Sequence, residues 1–249
     1  MNQREKTILA LLSKHGRMEV AALAQELKVS AVTIRKDLDE LERRSVIRRE
    51  HGCAIFGGND DVNNRLAYHY EEKRCIAREA AKLVSPGETV MIESGSCCAL
   101  LAEEIVRTRP GATIITNSAF IASYIRRIEG AKVVLLGGDF QNDAQVMVGP
   151  ILKTCAAQFY VDRLFVGADG YSEQLGFMAN NHLRVQAVRD MAEQAAEVVV
   201  VTVSDKFDRT STVPLNVPRG VRAVITDGAI RPEAEEMLSR ANIKVYKAE

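Results

Sequence analysis

Hydrophobic spacing divides the chain into two differently built parts. Up to about residue 50, apolar side chains recur every three or four positions in short segments near 4–14, 19–27 and 31–44. That spacing places them on one side of a helix, and no run typical of a strand interrupts these segments. From about residue 73 onwards, short β-branched runs alternate with helical stretches. The pattern therefore predicts a small helical domain followed by an α/β domain.

Seven runs in the second part are continuously apolar, as expected of strands that are buried on both faces of a sheet. These runs are 88–93, 112–117, 131–138, 161–168, 197–203, 222–226 and 243–246. The helical stretches are 73–84, 97–107, 118–128, 182–196 and 231–241. Such alternation predicts a mainly parallel sheet that is covered by helices.

The segment that joins the two parts is rich in Gly, Asn and Asp and lacks apolar periodicity. These residue types favour turns and loops. We therefore predict a helical domain over 1–57, a linker over 58–72 and an α/β domain over 73–249.

The third helical segment has the features of a helix that reads DNA. Ser30 precedes it as a good N-cap, because its hydroxyl can accept a hydrogen bond from the amide near Thr33. Ile34, Leu38 and Leu41 form one apolar stripe for the core. A helix that buries this stripe and offers short and basic residues on its other face suits the major groove.

Two short apolar runs around a polar, glycine-containing turn follow over 46–56. This pattern predicts a β-hairpin wing that lies on the sugar–phosphate backbone. The predicted DNA contacts of helix and wing are Ser30, Val32, Thr33, Arg35, Lys36, Arg43, Arg48, Arg49 and His51. A helical bundle with a solvated charged face fits the same spacing. Residues 1–60 hold 11 basic and 9 acidic side chains, and this net charge of 11 − 9 = +2 supports DNA binding only weakly.

Polar and glycine-rich loops follow five of the predicted strands, where a parallel sheet collects its ligands. Amides at the helix start after Gly95 can cradle a phosphate, Asp169 can accept bonds from sugar hydroxyls, and Lys206 can neutralise an anion. The ligand-binding residues that these loops predict are Glu93, Ser94, Gly95, Ser96, Cys97, Cys98, Thr116, Asn117, Gly137, Gly138, Asp169, Gly170, Asp205 and Lys206.

Composition excludes several classes of protein. The 249 residues are 47% hydrophobic and 27% charged, as in soluble globular proteins. No apolar run approaches the ~18 residues of a membrane span, and no signal peptide is recognisable. An odd number of cysteines, five, without regular spacing predicts reduced thiols in a cytoplasm. The net charge of zero argues against a protein that binds polyanions over its whole surface.

Motifs for metals and nucleotide cofactors are missing from the sequence. The four histidines have no ligand spacing with the cysteines, so we predict no metal site. Neither the phosphate-loop motif nor the glycine fingerprint of dinucleotide-binding folds occurs, so we predict no cofactor.

The motif VSAVTIRKDL at 29–38, followed by Arg48 and His51-Gly52, resembles the amino-terminal signature of the DeoR-type bacterial repressors. Cys53 stands where that family usually has a second Gly. The later positions Arg65, Glu72-Lys73, Ile76-Ala77, Thr116-Asn117, Leu136-Gly137-Gly138, Gly149, Asp162 and Asp205-Lys206-Phe207 match the rest of the family pattern in order.

The resemblance implies a winged helix-turn-helix domain and an effector domain with a fold similar to ribose-5-phosphate isomerase. It further implies that a phosphorylated sugar or related metabolite releases the protein from operator DNA. Two departures bear on the ligand. The phosphate loop has Ser96-Cys97 where the family commonly has two threonines, and Val188-Arg189 replaces a Lys-Arg pair. Arg184 and Arg189 either compensate for that pair, which adds Arg184 to the predicted ligand-binding residues, or are ordinary surface residues. A sugar acid or another small anion therefore fits as well.

Three alternatives remain open beside a transcription regulator. An isomerase-like enzyme would use Asp169, Glu93 or Lys206 as acid–base groups. A thiol-responsive regulator would act through Cys97 and Cys98, since a helix start lowers thiol pKa values. A structural protein would dock a protein partner on its helical unit. We favour a non-enzymatic, cytoplasmic repressor of a carbohydrate-utilisation operon that acts as a homo-oligomer, either a dimer or a tetramer.

Overall fold

The computed structural model describes residues 3–43, 47–50, 52–55 and 62–249. The chain forms two compact units, 1–70 and 71–249.

The first unit contains four helices and three short strands within its described residues. The helices are α1 (Gln3–His15), α2 (Val20–Glu26), α3 (Ala31–Arg43) and α4 (Val62–Ala67). The strands are β1 (Arg17–Glu19), β2 (Arg48–Glu50) and β3 (Cys53–Ile55). They pair antiparallel in the order β1-β3-β2. The predicted wing is therefore the β2–β3 hairpin with a third strand on its open side.

Two features of this unit differ from the sequence expectations. The expectation of no strand before the wing is wrong, because β1 pairs with β3 through Met18 and Ala54. A three-residue strand has too few positions for an apolar pattern, so only its pairing reveals it. The second difference is α4, which lies inside the predicted linker. Its Val62 and Leu66 are fully buried, although their surroundings are polar in sequence.

Helical spacing correctly predicts the core of the first unit. The side chains that point inwards from α1, α2 and α3 have no exposed surface, and they include Ile8, Leu12, Leu23, Ile34, Leu38 and Leu41. Packing of three amphipathic helices on one another removes these stripes from water and is the main stabilising contribution.

The second unit alternates strands and helices. Its helices are α5 (Tyr70–Ala81), α6 (Ser96–Thr108), α7 (Ala119–Ile125), α8 (Pro150–Ala156), α9 (His182–Ala192) and α10 (Pro232–Arg240). A 3-10 helix covers Ser204–Asp208. The strands of its main sheet are β4 (Thr89–Ile92), β5 (Thr113–Thr116), β6 (Lys132–Leu135), β9 (Val161–Val166), β12 (Ala195–Val201), β14 (Ala223–Asp227) and β15 (Lys244–Ala248).

The seven predicted apolar runs supply the seven strands of this sheet. Its order is β15-β14-β12-β9-β4-β5-β6, and every neighbouring pair is parallel. From β4 the chain builds outwards through β5 and β6, and from β9 it builds the opposite way through β12, β14 and β15. The strand order therefore reverses between β4 and β9. In open parallel sheets the crevice at such a reversal is where ligands bind.

Short antiparallel strands complete the unit. They are β7 (Asp139–Gln141) with β8 (Val146–Val148), and β10 (Gly170–Ser172) with β11 (Gly176–Ala179) and β13 (Val213–Pro214). Tyr171, Phe177 and Phe207 pack together beneath the second group, with ring centroids 4.9 to 6.2 Å apart. Sequence periodicity did not predict these hairpins, because strands of two to four residues carry too few alternations.

Candidate functional sites

The helix α3 begins with the predicted cap and exposes the predicted face. The Thr33 amide donates to Ser30 Oγ at 3.1 Å, and the two hydroxyl oxygens lie 2.9 Å apart. Val32 is 59% exposed, which is unusual for a valine, and Arg35 and Lys36 are exposed beside it. Neither basic side chain makes an ion pair with the described part of the chain. The start of α3 therefore offers an apolar group and two cations to solvent.

An acidic side chain on the inner side of α3 fixes this helix to α1. Asp37 is buried and accepts two hydrogen bonds from Arg4, from Nε at 2.5 Å and from Nη2 at 3.0 Å. The bond to this carboxylate raises the pKa of the Arg4 guanidinium above its usual value. A two-pronged bond of this kind fixes orientation as well as distance.

The wing is joined to the outer side of α3 in a similar way. Arg49 of β2 forms an ion pair with Asp39, and its backbone amide donates to Glu42 Oε1 at 3.0 Å. On β1, at the other edge of the three-stranded sheet, Arg17 donates to the Sγ atom of the buried Cys53 at 3.2 Å. This hydrogen bond raises the pKa of Arg17. Ion pairs and strand pairing therefore determine where the wing lies relative to α3.

The remaining predicted DNA contacts are only partly visible. Arg43 and Arg48 have their backbones in α3 and β2, and their side chains lie outside the description. His51 lies outside the described residues altogether.

In the second unit, the loops that flank the strand-order reversal contact each other directly. The Glu93 amide donates to the Phe165 carbonyl at 2.9 Å, and the Gly167 amide donates to Glu93 Oε2 at 3.3 Å. Glu93 is buried. The loop after β4 and the loop after β9 are therefore joined by the Glu93 carboxylate. The order of the strands along the sequence does not show which of their loops become neighbours.

Several buried polar atoms along this carboxyl edge have no hydrogen-bond partner within the described residues. They are Ser94 Oγ after β4, Asn117 Oδ1 after β5, Asp205 Oδ1 after β12 and Thr226 Oγ1 near the end of β14. The Asn117 residue is fully buried, and its Nδ2 donates to the Met147 carbonyl at 3.1 Å. Buried polar atoms are nearly always satisfied in proteins, by protein groups, water or ligand. Their collection at one edge is typical of a site for a polar small molecule.

A second cluster joins Asp169 and Arg184. Asp169 Oδ2 accepts from the Asn180 amide at 3.2 Å, and Asn180 Oδ1 accepts from Arg184 Nη2 at 3.0 Å. Asn181 caps α9 by accepting from the amides of Leu183 and Arg184. Sequence reasoning named Asp169 and Arg184 but missed Asn180, although two asparagines before a helix are a recognisable capping signal.

The glycines of the predicted site fall into two kinds. A Cβ at Gly138 would lie 2.6 Å from the Val148 carbonyl oxygen, and one at Gly170 would lie 2.6 Å from that of Arg209. Close backbone packing therefore explains both glycines without a ligand. For a Cβ at Gly95 or Gly137 the nearest atoms would be the sulfurs of Cys98 and Cys155, at 3.5 and 3.6 Å, which is ordinary contact.

The other predicted ligand-binding residues occupy varied positions. Thr116 Oγ1 accepts from the Ser118 amide at 3.1 Å, and Ser96 is the first residue of α6. Lys206 lies half-buried in the 3-10 helix and has no ion pair among the described residues. Arg189 donates to the carbonyls of Leu215 and Pro214, both at 2.7 Å, so its role is to hold β13.

The cysteines and metal-binding groups add no further site within the described part of the chain. None of the five cysteines, all of which are described, forms a disulfide, and Cys97 and Cys98 are buried at the start of α6. No cluster of three or more potential metal ligands occurs among the described residues.

The fold and these two sites define a winged-helix protein with a separate α/β sensor unit. Residues 4–58 match the model of the DeoR-like helix-turn-helix domain, and residues 68–228 match that of the DeoR C-terminal sensor domain. The chain therefore belongs to the DeoR family of DNA-binding transcription regulators, as the sequence motifs indicated.

Relatives with this family's architecture match nearly the whole chain. The chain is 27% identical to a putative aga operon transcriptional repressor of Escherichia coli O157:H7, over 98% of its own length and 93% of that protein. It is 26% identical to the glycerol-3-phosphate regulon repressor of Escherichia coli K12, over 98% and 97%. It also aligns with ribose 5-phosphate isomerase A of Methanocaldococcus jannaschii at 22% identity, covering 56% and 55% of the chains, with a TM-score of 0.42. None of the described helices is long and apolar enough to cross a membrane.

Proposed function

We propose that this protein represses a carbohydrate-utilisation operon and leaves its operator when a small anionic sugar derivative binds. The exposed face of α3 carries the proposal, because Val32, Arg35 and Lys36 stand free on a capped helix whose other face is buried. The relatives named above as repressors of an aga operon and of a glycerol-3-phosphate regulon support it. An L-fucose operon activator, 26% identical, is the relative that favours activation instead.

The proposed DNA contacts follow from the chemistry of this face. The Val32 side chain meets a thymine methyl group, and Arg35 and Lys36 meet guanine acceptors or phosphate oxygens. One short helix contacts few base pairs, so two copies on symmetric half-sites are needed for tight binding. The proposal therefore includes a homo-oligomer, either a dimer or a tetramer, that acts in the cytoplasm.

The proposed effector lies at the carboxyl edge of the parallel sheet. Ser94 Oγ, Asn117 Oδ1 and the amides at the start of α6 are available to a phosphate or carboxylate and to sugar hydroxyls. Lys206 supplies a positive charge at the same edge. The effector must bind more tightly to the arrangement that separates the two DNA-reading helices, since equal affinity for both arrangements would shift nothing.

Binding to DNA is tested with the full chain and a labelled duplex from upstream of its own gene. Fluorescence anisotropy at two salt concentrations should show tight, salt-sensitive binding, because phosphate contacts release counterions. Lys36→Ala should weaken binding by about 1–3 kcal/mol. Lys82→Ala removes an exposed cation of the second unit and serves as the matched control. Equal effects of the two variants, or no wild-type preference for this duplex over a random one, would contradict the proposal.

The effector is tested by adding a panel of sugar phosphates and sugar acids to the preformed complex. One compound should release the DNA, and Lys206→Ala should weaken that release while leaving affinity for DNA unchanged. If Lys206→Ala lowers DNA affinity instead, Lys206 does not belong to an effector site. The same compounds, incubated without DNA, should exchange no carbon-bound proton with solvent, whereas exchange would indicate an isomerase.

A further inference from the structure

The exposed stripe of α3 carries an acidic residue that the DNA-binding role does not explain. At about 100° per residue, Asp39 lies about 20° around the helix from Val32 and three positions after Lys36. It therefore lies on the same face as the two residues, and its side chain is 61% exposed. A carboxylate on a surface that approaches phosphates is unfavourable unless a cation neutralises it.

The cation that neutralises it comes from the wing. The Arg49 guanidinium pairs with Asp39, and the Arg49 side chain as a whole is only 26% exposed, so most of it packs against the protein. The Arg49 amide is held as well, by Glu42 Oε1 at 3.0 Å. Asp39 and Glu42 are three residues apart and therefore lie on neighbouring turns of α3. The guanidinium and the backbone amide of Arg49 are thus each held by an acidic residue of α3.

We propose that Arg49 is a positioning residue and that the Asp39–Arg49 pair sets the selectivity of the DNA-binding face. Arg49 stays on Asp39 in the complex, fixes the wing against α3 and makes no phosphate contact. Because Asp39 neutralises Arg49, DNA of any sequence meets one cation fewer. The affinity for non-specific DNA is therefore lower than it would be if Arg49 were unpaired. This inference rests on the proposed function, and it replaces the expectation that Arg49 lies on the sugar–phosphate backbone.

A pairing within the same unit supports this interpretation. Asp37, two residues before Asp39, is likewise neutralised from outside α3, by Arg4 of α1. Among the described residues Arg35 and Lys36 have no such acidic partner. The ion pairs thus leave these two cations of α3 available to a polyanion, while they occupy Arg4 and Arg49.

The salt dependence of DNA binding distinguishes a positioning arginine from a phosphate contact. Each phosphate contact adds about one unit to the slope of log affinity against log salt concentration. We therefore expect Arg49→Gln to weaken binding to the upstream duplex by roughly two- to fivefold, the usual range for a surface charge pair, and to leave the slope unchanged.

The partner substitution has the opposite effect. Asp39→Asn should strengthen binding to a random duplex by roughly two- to fivefold, since it removes a negative charge and frees Arg49. Binding to the upstream duplex should gain less, because the pair no longer fixes the wing against α3. The slope should steepen by about one unit, because the freed guanidinium can reach a phosphate. The ratio of the two affinities should fall. Asp39→Asn combined with Arg49→Gln should restore the wild-type slope and the wild-type affinity for the random duplex, while affinity for the upstream duplex stays below that of the wild type because the pair that fixes the wing is gone.

Glu26→Gln is the matched control, because it removes an exposed acid of α2 that lies outside this stripe. It should change neither slope nor ratio. A slope that falls by about one unit in Arg49→Gln, or no gain of affinity in Asp39→Asn, would overturn the inference while wild-type binding upheld the proposed function. Absence of salt-sensitive wild-type binding would instead remove the proposed function, and this inference with it. Circular dichroism verifies that each variant folds. Asp39→Asn keeps Arg49, whose backbone amide donates to Glu42, and therefore tests the inference even if Arg49→Gln loosens the wing.

Discussion

The helix α3 and the carboxyl edge of the seven-stranded sheet differ in how their polar groups are satisfied. On α3, Asp37 and Asp39 are paired with arginines from α1 and β2, and the exposed cations project into solvent. At the sheet edge, Ser94 Oγ and Asn117 Oδ1 are buried without a hydrogen-bond partner. A large polyanion needs an exposed, ordered set of charges, whereas a small ligand must replace water at buried atoms. The arrangement of polar groups therefore suits the first unit to a large polyanion and the second unit to a small polar ligand.

The largest effect is expected from a substitution that disturbs the packing behind the sheet edge. A Cβ at residue 170 would lie 2.6, 2.7 and 2.9 Å from backbone atoms of Arg209, Thr210 and Ser211, which cannot move independently of the chain. Gly170→Ala should therefore destabilise the second unit by about 3 kcal/mol, the upper end for overpacking. Urea unfolding of the full chain, with hydrogen exchange of the β9 and β12 amides, measures the loss.

Gly95→Ala is the matched control for that substitution. Its Cβ would meet only the Cys98 side chain, with Sγ nearest at 3.5 Å, and its backbone is extended, so stability should hardly change. Its methyl group projects at the start of α6, where we propose the effector binds, so release of DNA by the effector should weaken. Equal stability losses in the two variants would show that both glycines serve packing alone.

A smaller effect is expected where α1 and α3 are joined. Asp37→Ala removes the two-pronged bond to Arg4, and hydrogen bonds to charged groups typically contribute about 1.5–3 kcal/mol. Hydrogen exchange should therefore accelerate at the amides of α1 and α3 and stay unchanged in β4 and β9. DNA affinity should fall because α3 loses its fixed orientation. Glu26→Ala, on the exposed side of α2, should leave both measurements unchanged. Unaltered exchange in α3 would mean that the apolar core alone holds it.

The smallest effect is expected from Ser94→Ala, which separates ligand binding from the stability of the second unit. Ser94→Ala removes a hydroxyl that has no partner in the described part of the chain, so the free energy of unfolding should not fall. Effector affinity should fall by about 0.5–1.5 kcal/mol if that hydroxyl binds the ligand. Isothermal titration with the releasing compound measures it.

Ser118→Ala provides the contrasting case one loop away. Its hydroxyl caps α7 by accepting from the Ile121 amide at 3.2 Å. Loss of a cap costs about 1 kcal/mol of stability and should leave effector affinity unchanged. If Ser94→Ala lowers stability as much as Ser118→Ala does, the Ser94 hydroxyl is structural.

Much of the architecture follows from short-range patterns in the sequence. The stripe of Ile34, Leu38 and Leu41, the cap at Ser30 and the seven apolar runs all recur in the structure at or near their predicted places. Elements with few residues escaped prediction. The strand β1 has too few positions for a period to emerge, and α8 begins with Pro150 directly after Gly149, two residue types that are typical of turns. The apolar residues of α4 are limited to Val62, Leu66 and Ala67.

The candidate site was predictable as a set of loops but not as a geometry. Parallel strands place Ser94, Asn117 and Asp205 at one edge, so the sequence could nominate them together. It could not show that Glu93 bridges to Gly167, because strand order decides which loops become neighbours. Nor could it separate Gly170, which packs against backbone, from Gly95, which meets only Cys98.

The periodic elements, the helix cap and the family signature follow from the sequence, because each depends on residues a few positions apart. Which charges are neutralised, and which polar atoms lack a hydrogen-bond partner, depends on the tertiary structure. Arg4 and Asp37 are separated by 33 positions, and Arg49 and Asp39 by 10. Such pairs form only when helices and strands from distant parts of the chain pack together, since no local pattern specifies which opposite charges will meet.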